Sequence, residues 1–138
     1  MVIIDEVYRN ISFDMPEQEL SILLERIKAA KEEDVEALKN KIDKYEQKRR
    51  AEEALYQSLS PIRRLFAGRP ASHHQAVEYM VHVKERFKKI DAIKLSIREL
   101  DQVLHILRMP IRDSNEVFLS PELIREIRHL REREASQE

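Results

Sequence analysis

The sequence predicts an all-α protein: a long antiparallel helical hairpin, coiled-coil-like, with a short N-terminal helix and a C-terminal helix, completed to a bundle by dimerisation. Three observations predict it. Charged residues make up 37% of the 138 residues, with one glycine, no tryptophan and 6% aromatics, the make-up of long helices rather than sheets. Two long stretches place apolar residues at three- and four-residue intervals, as helical seams do. Between them, residues 58–75 hold the only glycine, Gly68, and two of the five prolines, Pro61 and Pro70. Gly68 suits the left-handed residue that closes a helix, and Pro70 blocks continuation. Ser72 and Gln75 then have capping-box spacing for the next helix.

In chain order, Ile4, Val7, Tyr8 and Ile11 follow i, i+3, i+4, i+7 and predict a short helix within residues 1–13. Val2-Ile3-Ile4 taken alone would suit a strand equally well. Asp14-Met-Pro-Glu17 reads as a helix start, with Asp14 as N-cap, Pro16 in the first turn and Glu17 completing the box. The first long helix is expected over 14–67, kinked near 60 where Ser60-Pro61 repeats a start signal. Its stripe runs Leu20, Leu23, Leu24, Ile27 and then Val35, Leu38, Ile42, Tyr45. Lys31-Glu-Glu-Asp34 between them reads as a solvated turn of one helix, a break capped by Asp34 being the alternative. Beyond Tyr45 the stripe resumes as Leu55, Leu59 and Ile62.

The second long helix is expected over 72–108, on Ala76, Met80, Val83, Phe87, Ile90, Ile93, Ile97, Leu100, Leu104 and Leu107, and Pro110 ends it. Residues 109–119 read as a connector. Ser120-Pro121 starts a C-terminal helix over 120–135 carrying Leu123, Ile124, Ile127 and Leu130. The whole is expected to be a single helical domain. Helices of some 40 residues are about 60 Å long, and one hairpin leaves part of each stripe uncovered, so self-association is expected.

Composition narrows function. No apolar run reaches the roughly 18 residues of a membrane span, the N-terminus lacks the pattern of a signal peptide, and cysteine is absent. A cytoplasmic protein without membrane association is expected. A single glycine excludes phosphate-cradling Gly-rich loops, no Ser-His-Asp order is present, and the acidic clusters at 32–36 and 52–53 lie on exposed helix. No enzymatic activity and no cofactor are expected. His74, Glu78 and His82 share a helix face, but the outer two are about 12 Å apart along the axis, so a polar flank is favoured and no metal site is assigned.

Charge is unevenly laid out: residues 1–46 sum to −5, residues 47–94 to +6 and residues 95–138 to −2. Lys48, Arg49 and Arg50 precede the turn by about as many residues as Lys84, Arg86, Lys88 and Lys89 follow it. In a hairpin they are expected at one height, with Arg63, Arg64 and Arg69 at the tip, as a basic belt. The sequence therefore predicts a non-enzymatic interaction module, an adaptor or regulator acting as a homodimer, with an unidentified protein partner. The second reading is a nucleic-acid-binding regulator using the belt. Few aromatics lie among the cations, which disfavours a single-strand binder.

Overall fold

The computed structural model describes residues 1–60, 63 and 72–137, with the side chains of 72–75 outside the description. Helix dominates: α1 (Glu17–Ser58), α2 (Ser72–Tyr79), a π-helical turn (Met80–Lys84), α3 (Glu85–Arg108) and α4 (Pro121–Gln137). Strands β1 (Val2–Asp5), β2 (Ile11–Asp14) and β3 (Glu116–Leu119) form a sheet in the order β2-β1-β3. The chain divides into two compact units, Met1–Glu32 with Lys94–Glu138, and Glu33–Ile93.

The sheet belongs to the first unit and corrects the expected N-terminal helix. Val2–Asp5 alternates, with Ile3 and Asp5 buried and their neighbours half-buried, whereas Val7, Tyr8 and Ile11 of the helical spacing are exposed. Asp5 decides the local geometry. Its Oδ1 accepts the Val7 and Tyr8 N–H groups at 2.8 and 2.9 Å, a side-chain-closed turn that competes with helix. The chain then passes through Arg9, at φ 59°, into β2. β1 pairs antiparallel with β2, with a register shift between Ile3 and Ile4, and parallel with β3. β3 also corrects the expected connector, whose last four residues are strand. A parallel partner more than a hundred residues away leaves no mark on the local spacing of either segment.

Asp14 lies in β2 opposite Val2, so it does not cap α1. The helix opens where Leu20 N–H donates to Pro16 O at 3.0 Å, and the Glu17 carboxylate turns to Arg112 instead of closing a capping box. α1 then runs through Lys31–Asp34 without a break. The polar stretch is used: Lys28 pairs with Asp101 at 2.6 Å and Lys31 with Glu126 at 2.9 Å. Glu25 pairs with Arg108, and with Lys28–Asp101 this sets α1 and α3 antiparallel in the first unit. α1 ends at Ser58, close to the kink expected near 60, and residues 61–67 apart from Arg63 lie outside the described residues; Ser60 Oγ accepts Arg63 N–H at 3.4 Å. The expected turn residues Gly68 and Pro70 and the Ser72–Gln75 box lie outside the described residues or side chains.

α3 ends at Arg108, before Pro110, and α4 begins at Pro121 with Ser120 as its cap, Oγ accepting Leu123 N–H at 3.2 Å. The core of the first unit gathers Leu20, Leu23, Leu24 and Ile27 of α1, Leu100, Val103, Leu104 and Leu107 of α3, and Leu123, Ile124 and Ile127 of α4. These close over the inner sheet face, Ile3, Val117 and Leu119, with Met1 and Met15.

In the second unit Val35 and Ile42 of α1 are buried, as are Val83 of the π turn and Ile90 of α3. The expected stripe of the second helix is wrong at its start, for Ala76, Met80 and Phe87 are exposed. A π turn holds more residues than an α turn, so the face that is inward after it is not the one before it. From Val83 on the seam is a strict heptad, 83, 86, 90, 93, 97, 100, 104, 107. It places half-buried Arg86, not Phe87, inside.

Candidate functional site

The described residues of the candidate belt fall within the second unit, and all but Arg86 are solvent-facing. Lys48, Arg49, Arg50, Arg63, Lys84, Lys88 and Lys89 are exposed and Arg86 is half-buried; Arg64 and Arg69 lie outside the described residues. Local ion pairs occupy two of them, Arg50 with Glu46 at 3.8 Å and Lys88 with Glu85 at 3.6 Å. Exposed pairs of this kind add little stability. Arg86 Nη1 donates to the His82 carbonyl at 3.4 Å. Among the described residues Lys48, Arg49, Lys84 and Lys89 have no ion pair, and so remain open to an outside anion.

The two basic clusters do not share one height. Tyr45 stacks on His82 with ring centroids 4.7 Å apart and planes 15° from parallel. In a hairpin of that register, Lys48, Arg49 and Arg50 lie to the tip side of the stack and Lys84, Arg86, Lys88 and Lys89 to the other, each cluster centred four to five residues from it. That separates them by about 13 Å along the axis. The centres thus stand further apart than a Debye length of about 8–10 Å at physiological salt, while the nearest members, Lys48 and Lys84, are about 7.5 Å apart along the axis and lie within it. The equal-count argument from the turn fails because the helices are not in equal register about it.

Exposed apolar side chains accompany the cations. Val77, Tyr79, Met80, Val81 and Phe87 are between 40% and 54% exposed, and Leu55 of α1 is 66% exposed. His82, one end of the expected His-Glu-His ladder, is half-buried against Tyr45. The His74 side chain lies outside the description, and among the described residues no three His, Cys, Asp or Glu side chains gather as metal ligands. No helix among them is long and apolar enough to cross a membrane.

Three polar arrangements of the first unit escape a reading by spacing. Glu99 of α3 accepts both the N–H and the Oγ–H of Ser120 at 3.0 Å, and so fixes the start of α4. Arg9 lies 5.5 Å over the Phe118 ring. Arg112 binds Glu17, with its Nη1 buried and unpartnered. The guanidinium hydrogen bond holds the Glu17 carboxyl below its ordinary 4.5, and the same bond raises Arg112. A carboxyl lowered in the folded state stabilises above its unfolded value, and that contribution is lost as pH falls through the folded one. Glu17→Gln is therefore expected to lower stability at pH 7 and to flatten the acid limb below about pH 4.5 in urea titrations. An acid limb as steep in the variant as in the parent would show that the pair is not linked to folding.

Comparison with protein-family models, with curated proteins and with solved structures gave no match.

Proposed function

We propose that the chain is a non-enzymatic helical interaction module, an adaptor or regulator that works as a homodimer and offers the second unit to an acidic protein partner. What carries the reading is the mixture on one helical stretch. Val77, Met80, Val81 and Phe87 are exposed within eleven residues, and Lys84, Lys88 and Lys89 are exposed beside them. Single exposed apolar residues are ordinary, but a cluster rimmed by polar groups is the make-up of a protein-binding surface. The unpaired Lys48 and Arg49 extend the positive field, which steers and selects more than it tightens.

Replacing Arg49, Arg50, Lys88 and Lys89 together by glutamate tests the reading. All four are exposed, so helix content by circular dichroism is expected to persist while proteins captured by the parent from source-cell extract are lost. Capture that is identical for parent and variant would reduce these cations to solvated surface. The same unpaired cations support the second reading, nucleic-acid binding, and nuclease treatment separates the two. Partners that survive nuclease fit a protein surface, and partners lost with it, under steep salt dependence, fit nucleic acid.

A further inference from the structure

We propose that the second copy docks on β3, two β3 strands pairing antiparallel about Val117 to join the two sheets edge to edge. The inference deepens the self-association reading and rests on it.

The two sheet edges are treated differently. At the β2 edge, Arg128 donates to the Ser12 carbonyl at 3.2 Å, and Arg128 and Arg131 lie 5.4 and 5.7 Å from the Phe13 ring centroid. One outward carbonyl of that edge is thereby taken by a side chain, and cations flank its ring. At the β3 edge the register leaves backbone groups open. Val2 N–H donates to Asn115 O at 2.9 Å and Glu6 N–H to Leu119 O at 3.0 Å, so residues 115, 117 and 119 turn their polar groups to β1. The N–H and C=O of Glu116 and Phe118 therefore point away from the sheet, and among the described residues neither has a partner. An open edge of this kind is a template for another strand.

Charge selects the occupant. Glu116 and Phe118 are exposed on the outer sheet face, and Arg9 lies over Phe118. Neither Glu116 nor Arg9 has an ion pair among the described residues. In an antiparallel pair the outward-turned residues become the hydrogen-bonded pairs, so a twofold axis at Val117 sets Glu116 opposite Phe118 of the second copy. Residues directly opposite share a face, which brings the Glu116 carboxylate to the Arg9 guanidinium of the second copy, and the reverse. The edge thus carries both halves of its own complement, twice per dimer. Arg9 is held for this by a turn that the buried Asp5 closes with two hydrogen bonds.

Dimer affinity measured by sedimentation in the parent, in Glu116→Arg, in Arg9→Glu and in the double variant tests the proposal. Each single variant is expected to weaken association about tenfold, and the double variant, which restores the pairs with signs exchanged, to recover it. The chain has no cysteine, so Val117→Cys gives a second, independent readout. Opposed residues at the axis have Cα atoms about 4.5 Å apart, within disulfide reach, and mild oxidation is expected to yield a covalent dimer. A dimeric parent whose affinity none of these charges changes, and whose Val117→Cys form stays uncrosslinked, would overturn the β3 interface and leave self-association standing. A parent monomeric at every concentration would overturn both.

Discussion

Leu100→Ala is expected to lower the unfolding free energy by about 2–5 kcal/mol, read as a shift of the urea midpoint at unchanged slope. Leu100 is 0% exposed in the core of the first unit, where α1, α3, α4 and the inner sheet face converge. Truncation removes transfer energy and leaves a cavity, because walls contributed by so many elements collapse only in part. Leu95, on the same helix and 63% exposed, is the control: Leu95→Ala should change stability by no more than about 0.5 kcal/mol. Equal effects at the two positions would mean that the packing is not as described.

The second large effect belongs to Glu99. Its carboxylate takes the N–H and the hydroxyl of buried Ser120, and Ser120 in turn caps α4 at Leu123. Glu99→Ala leaves a buried donor without an acceptor and frees the cap, for an expected loss of about 2–3 kcal/mol. Glu99→Gln keeps one acceptor oxygen and should lose less. Ser120→Ala removes the hydroxyl link, so the double variant Glu99→Ala with Ser120→Ala should lose less than the sum of the singles. Strict additivity in that cycle would show that Glu99 acts elsewhere.

The helical part of the fold was legible wherever contacts are local. Leu20, Leu23, Leu24 and Ile27 repeat with the helix, and Ser120-Pro121 marks a start that needs no distant partner. The sheet was not legible for the opposite reason. Ile3 and Val117 are each other's parallel neighbours across the chain, and four-residue strands are too short to show a period of two against a competing period of 3.6. Met80 and Phe87 failed through phase: the π turn at 80–84 shifts the inward face, and the strict heptad after it needed Arg86 in an apolar seam. The exposure of the basic residues could be read from their type, but their height could not. It depends on the Tyr45–His82 register, which counting outward from the turn does not supply.

The central claim, that this chain works as a self-associating interaction module, meets its most direct test in sedimentation equilibrium of the parent across a hundredfold dilution from micromolar concentration. A chain of 16.5 kDa that works as proposed will show a mass approaching twice that value at the upper end and falling on dilution. A single mass of one chain throughout the series would contradict it.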